Sequence, residues 1–310
     1  MTLPRLLLAA LLVMAAMAAQ ATNPSANPQG SNPPAGVQNS TPQQPQPTQP
    51  SMTNPKAKHA PGAKTKQEYD QYLAVANAPD ATTSEKLARE FETQYAGSEL
   101  LALAYQQVMI KYQKADNGDK ALDMGRKVLQ YDPDNVYALV MNATVLAERT
   151  RQTDIDRDPR LKEATTDAQR VLENIRTGNY LLAPNATPEQ VQQFKDQISS
   201  MAYHALGKAE MEREDYAAAE QDLRKATEGP AGKGDAIVWY RLGLALDHQK
   251  KYSDANAAIT TAIALAPPDS AVASMARNEQ SRLKQLAAGG PASNPAPQSN
   301  QPEPEAVRPK

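Results

Sequence analysis

Between residues 66 and 287, apolar side chains recur three or four positions apart, the spacing that gathers them on one face of an α-helix. Two stretches show the pattern most plainly. The first runs Tyr203-His204-Ala205-Leu206-Gly207, followed by Tyr216, Ala219, Leu223 and Ala226. The second runs Trp239-Tyr240-Arg241-Leu242-Gly243, followed by Tyr252, Ala255, Ile259 and Ala262. Each landmark of the second lies 36 residues after its counterpart in the first. A short polar break, Arg213-Glu214-Asp215 or Gln249-Lys250-Lys251, divides each stretch. Each therefore predicts two amphipathic helices joined by a tight turn, and the fixed offset predicts a repeated unit.

The small residues in this pattern predict how the helices pack. Gly207 and Gly243 fall inside the first helix of each unit, where glycine costs about 1 kcal/mol relative to alanine. A glycine tolerated there implies close approach of a neighbouring helix. Ala219, Ala226, Ala255 and Ala262 extend the same stripe on the second helix, and Leu223 and Ile259 supply the bulk.

These residues resemble the tetratricopeptide repeat (TPR) family, whose first helix carries Trp, Leu-Gly and an aromatic, and whose second carries Ala, Phe, Ala and Pro. The unit from Ala236 matches with Trp239, Leu242, Gly243, Ala255, Ala262 and Pro267, but has Leu246 and Ile259 where aromatics are usual. The unit from Ser200 matches with Tyr203, Leu206, Gly207, Ala219 and Ala226, and has Glu210 at the aromatic place. A third unit begins at Ala102, with Tyr105, Val108, Tyr112, Ala121, Val128 and Pro133. Met109 and Gly125 stand there in place of the small and bulky residues, so its packing should differ. A fourth begins near Val136, with Leu139, Ala143 and Leu146. The insert Arg151–Arg160 displaces its second helix onto Ala168, Leu172 and Ile175.

A weaker pair, Glu68–Ala76 and Lys86–Tyr95, comes first, with Thr82 and Glu85 spaced as a capping box. A last helix, Ala271–Leu286, reads as a cap with Arg277, Glu279, Arg282 and Lys284 outward. The expected fold is all-α. It is an α-α superhelix, a TPR solenoid of about five helix pairs plus a C-terminal capping helix, over residues 65–288.

The flanks are of another kind. Of the 25 prolines, ten fall in residues 21–64 and six after residue 290. Residues 22–64, rich in Pro, Gln, Asn, Ser and Thr, and residues 289–310 are expected to be disordered tails, because they cannot bury enough apolar surface to offset ordering. Residues 1–21 read as a signal peptide. Arg5 precedes the apolar run Leu6–Ala16, and Ala19-Gln20-Ala21 fits a small-x-small site with cleavage after Ala21. That predicts a periplasmic or secreted bacterial protein; an uncleaved signal anchor is the alternative. The run is short of the roughly 20 residues a membrane span needs, and no other stretch is long enough.

Composition narrows the chemistry. The net charge of −2 and the lack of a basic stripe argue against nucleic acid as a partner. No cysteine is present, which removes disulfides, thiolate nucleophiles, cysteine metal sites and a lipoprotein anchor. Asp154, Asp156 and Asp158 open like a calcium loop, but Pro159 and Thr165 stand where Gly and the final Glu are required. His59, His204 and His248 are scattered, and no phosphate loop or serine-nucleophile elbow occurs. No cofactor, metal or catalytic constellation is expected. Asn142 and Asn185 match the glycosylation pattern, but Asn142 falls within a helix and the leader is of bacterial type.

The resemblance implies a concave groove lined by the first helices that takes a peptide or protein segment. Its lining maps to Gln106, Ile110 and Gln113; to Tyr137, Val140 and Thr144; to His204, Lys208 and Met211; and to Tyr240, Arg241, Leu244 and His248. The Lys/Asn pairs with which some members grip a terminal carboxylate are absent from the matching positions. The apolar loop Tyr180-Leu181-Leu182-Ala183 either meets a partner or covers the joint beside the insert. Thr187-Pro188-Glu189-Gln190 predicts a capped helix start. The expected function is a non-catalytic protein–protein interaction scaffold of the cell envelope. A carrier or accessory subunit for a glycan or other small ligand, using Tyr240, Arg241, His204 and His248, is one alternative. A spacer between two tails is another.

Overall fold

A computed structural model describes residues 58–182 and 186–287. Residues 1–57, on which the expected signal peptide and most of the expected linker fall, residues 183–185, with Ala183 and the Asn185 match, and residues 288–310 lie outside the described residues. The described residues are helical with no strand. The helices are α1 Lys66–Asn77, α2 Ala81–Gln94, α3 Leu101–Lys114, α4 Gly118–Tyr131, α5 Val136–Arg149, α6 Arg157–Thr177, α7 Pro188–Glu212, α8 Tyr216–Glu228, the short α9 Pro230–Lys233, α10 Ala236–His248, α11 Tyr252–Leu265 and α12 Ala271–Ala287. Five helix pairs and a final single helix are thus present, as the repeat pattern predicts.

The chain divides into two compact units. The first comprises residues up to Leu139 with Glu173–Val191, and the second Val140–Leu172 with everything from Gln192 onward. In the first unit α1 packs on α2 and α3, α2 on α3, and α3 on α4. In the second, α8 and α11 both pack on α10, and α12 closes over α11 and α10. Partners within a pair therefore touch, and α1 with α3 and α10 with α12 also touch as neighbouring first helices.

Local chemistry sets the helix starts. The side chains of Thr65, Asp80, Asn117, Asp215 and Asp235 each accept a backbone N–H of the first turn. Thr187 and Gln190 form the reciprocal box that the sequence predicts, with Thr187 N–H donating to Gln190 Oε1 at 2.9 Å. The box expected at Thr82 and Glu85 does not form. Asp80 caps instead, its Oδ1 accepting from the Thr83 N–H at 2.8 Å. Glu85 is drawn away to Tyr112 at 2.6 Å and to Arg89 at 2.7 Å.

Three first-to-second-helix turns share one solution. Asp116, Glu214 and Lys250 each adopt positive φ, at 56°, 62° and 62°. The next residue's N–H reaches back to Tyr112, Glu210 and Leu246 respectively. This is a left-handed helix termination, and it repeats where the polar breaks repeat.

The close approach implied by the two glycines is present. A Cβ on Gly207 would lie 2.6 Å from Leu223 Cγ, and one on Gly243 would lie 2.6 Å from both Ile259 Cγ1 and Cδ1. Leu223 and Ile259 are fully buried, so neither has room to move aside. Around them the second unit's core gathers Val238, Leu242, Leu246 and the small residues Ala219, Ala226, Ala255 and Ala262. In the first unit Met109 is fully buried on α3 and Gly125 is buried on α4, so bulk sits on the opposite helix of the pair.

Two expectations need revising, and the loop left open between two readings can be placed. Residues 58–64, assigned to the disordered linker, are held in an extended path on the first unit. Lys58 pairs with Asp132 at 2.5 Å, and the Gly62 N–H donates to Glu99 at 3.1 Å. Glu279 and Arg282, expected outward on the cap, are instead drawn inward. Both pair with each other at 2.6 Å, and Arg282 also binds Asp247. In the loop before α7, Tyr180 is buried and Leu181 and Leu182 are half-buried, so the described apolar residues cover rather than protrude.

Gly243→Ala should lower stability by about 1–2 kcal/mol, because overpacking outweighs the gain in helix propensity. Chemical denaturation checks this. The same change in an Ile259→Ala background should cost distinctly less, since the clashing atoms are gone.

Candidate functional site

The residues assigned to the groove divide sharply by exposure. Gln106, Ile110, Gln113 and Tyr137 are buried in the first unit, and Val140, Thr144, Met211 and Arg241 are buried in the second. His204, Lys208, Tyr240 and Leu244 are half-buried, and His248 is exposed. His248 stacks on Tyr216 with ring centroids 4.0 Å apart, beside the turns inside the α7–α8 and α10–α11 pairs.

In the first unit the buried polar residues largely satisfy one another. The Asn135 side chain caps α5 through the Ala138 N–H at 3.1 Å and donates to Gln106 Oε1 at 3.2 Å. Both amide atoms of Gln113 are buried without a partner.

The second unit brings candidates together. Arg241 on α10 forks onto Glu148 on α5, with Nη1–Oε1 at 2.5 Å and Nη2–Oε2 at 2.6 Å. The same Nη1 lies 2.5 Å from His204 Nε2 on α7. One guanidinium thus ties three successive first helices. Because Arg can only donate, His204 Nε2 must accept, which places the imidazole proton on Nδ1 and leaves the ring neutral. Lys208, one turn further along α7, pairs with Glu212. Arg157, from the insert, donates to the Glu212 carbonyl.

The electrostatics follow from that geometry. Burial, reinforced by the Arg241 charge, pushes His204 down from 6.5 to about 3. Burial alone would raise Glu148, but the charge and hydrogen bonds of Arg241, with help from His204 and Lys208, hold it at about 2. Asp235, the N-cap of α10, is raised by burial despite the backbone bonds it accepts.

A second network lies toward α12. Arg282 binds both Asp247 and Glu279, and its side chain and theirs are about nine-tenths buried. Tyr240 stands beside it, and burial with the Glu279 charge pushes its hydroxyl up to about 12. Half-buried Leu244 is one turn beyond Tyr240 on α10.

Four participants escaped the sequence reading. Glu148, Asp247, Glu279 and Arg282 are ordinary charged residues of amphipathic helices. Glu148 and Asp247 have partners 93 and 35 residues away in sequence, and the three-residue spacing of Glu279 and Arg282 is equally common on solvated helix faces. Among the described residues no group of three or more His, Asp or Glu is arranged to hold a metal ion, and no helix is long and apolar enough to cross a membrane. No family model matches the chain, and no curated protein matches it significantly.

The network makes the second unit acid-sensitive. His204 has a depressed folded value, so its contribution is complete above 6.5 and is lost as pH falls toward about 3. Glu148 adds a second loss from 4.5 down to about 2. Denaturation midpoints should therefore fall on acidification from pH 6.5 to pH 4.5, before Glu148 protonates. His204→Gln should flatten that segment of the profile.

Proposed function

We propose that the protein is a non-catalytic interaction scaffold of the TPR type, exported to the cell envelope, that takes a peptide or protein segment along its first helices. The observation that carries this reading is the half-buried row on α7 and α10. His204, Lys208, Tyr240 and Leu244 present mixed apolar and polar surface on helices that ion pairs hold in fixed relation. Such pre-organisation lowers the cost of binding, since little ordering is left to the moment of contact. An aromatic, an aliphatic and a few polar groups suit an extended or amphipathic segment. Export rests on the leader, with Arg5, the run from Leu6 and Ala19-Gln20-Ala21.

The small-ligand alternative gains little support. Three of its four candidate side chains are already engaged. Arg241 binds both Glu148 and His204, and His248 stacks on Tyr216.

The test is affinity capture from bacterial envelope extract by the mature chain, beside a Tyr240→Ala/Leu244→Ala variant. Both side chains also pack on the edge of the second unit's core, so the variant is compared only after its helical circular dichroism and denaturation midpoint show that it is folded. A protein retained by the first and lost at least about tenfold from the second, about 1.4 kcal/mol, supports the groove. Equal recovery from both refutes it.

A further inference from the structure

The chain between the proline-rich linker and α1 does not run free. Residues 58–64 cross the edge of the first unit, where two inter-helix turns lie. Lys58 Nζ pairs with Asp132, at the turn between α4 and α5, and both side chains are largely shielded, at 23% and 19% exposure. His59 Nε2 lies 3.2 Å from Glu99, which also accepts the Gly62 N–H at 3.1 Å. Lys64 Nζ donates to the Gly97 carbonyl at 3.1 Å, in the turn between α2 and α3. The segment therefore bridges the turns that lead into α3 and α5.

The chemistry explains why it settles there. Both turns lead into first helices, whose leading N–H groups carry partial positive charge. Glu99 stands just before α3, where a carboxylate is favoured, and Asp132 is the C-cap of α4, where its charge is met by the Lys58 ammonium instead. Their remaining oxygens are free to take cations and an N–H from a passing strand. The segment supplies Lys58, His59, the Gly62 amide and Lys64 in order. Gly62 has nothing within 4 Å of where a Cβ would be, so the path is not wedged by packing. Its hydrogen bonds and ion pairs to Asp132, Glu99 and Gly97 are polar contacts that salt can reach.

We propose that residues 58–64 form a releasable clasp that fixes where the N-terminal arm leaves the helical array. While it is closed, the arm departs beside Asp132, at the turn between the second and third helix pairs. When it opens, the arm departs from the start of α1 instead. The attachment point of everything upstream thus moves across two repeats without any helix changing. Contacts of this kind weaken with ionic strength, because the Debye length shrinks from about 10 Å at 0.1 M to 3 Å at 1 M.

Hydrogen exchange on the full chain tests this, with the Lys64 amide as internal control. That amide donates to Glu68 in the first turn of α1 at 2.6 Å, so it should stay protected whether the clasp is closed or open. The Gly62 amide should be protected at low salt. It should exchange at least about tenfold faster at 1 M salt, in Lys58→Ala and in Glu99→Ala, with α3 and α4 unchanged. Free-peptide exchange of Gly62 in the unaltered chain at low salt overturns the proposal. So does protection indifferent to salt and both variants, or loss of protection in α3 and α4 together with Gly62. Lys58→Ala removes no group of the helices, so it keeps the test valid if Glu99→Ala disturbs the fold.

Discussion

Everything in the second unit rests on how closely the two helices of a pair can approach. Gly207 faces Leu223 and Gly243 faces Ile259, and in each case a single methyl group would intrude to 2.6 Å. The missing side chain lets a fully buried branched residue sit directly on the opposing backbone. Ala219, Ala226, Ala255 and Ala262 are buried beside it in the same core. Glycine lowers helix propensity, and the burial of Leu223 and Ile259 offsets that cost. The repeat length follows, since each pair must return a first helix to the same place against its predecessor.

Once the first helices stand side by side, their facing charges have to be settled. Arg241 does this for three helices at once, through Glu148 and His204. Arg282 does it again at the end of the array with Asp247 and Glu279. Buried pairs of this kind contribute modestly to net stability, but losing one partner is costly. Their consequence here is fixed spacing. Tyr240 and Leu244 lie on a helix that the two networks hold from either side, which suits a surface meant to receive another chain.

The sequence revealed most of the architecture because its determinants are local. Helix pairs, turn positions and the glycine stripe all follow from spacing within one repeat. It did not reveal the ion networks, because Glu148 and Arg241 are 93 residues apart and each looks like a solvated charge. It misplaced Glu279 and Arg282 for the same reason. A terminal helix has no successor, so polar residues on it read as outward until Asp247 is seen to attract them. The capping box at Thr82 failed because Asp80 was the better-placed acceptor and Glu85 had stronger partners in Tyr112 and Arg89. The proposed groove was legible only as a face. Which of its residues remain accessible depends on packing across repeats, and that left His204, Lys208, Tyr240 and Leu244 half-buried while Val140 and Thr144 were enclosed.

The central claim is that the first-helix face, rather than the outer face, is the working surface. The chain contains no cysteine, so single thiols can be placed at will. Leu244→Cys carries a thiol on α10 in the proposed row, and Ala257→Cys carries one on the exposed side of α11. Each is fitted with a short photo-crosslinker and exposed to envelope extract. The account predicts a discrete cross-linked partner from position 244 and none from position 257. A partner cross-linked from position 257, with position 244 silent, would contradict it.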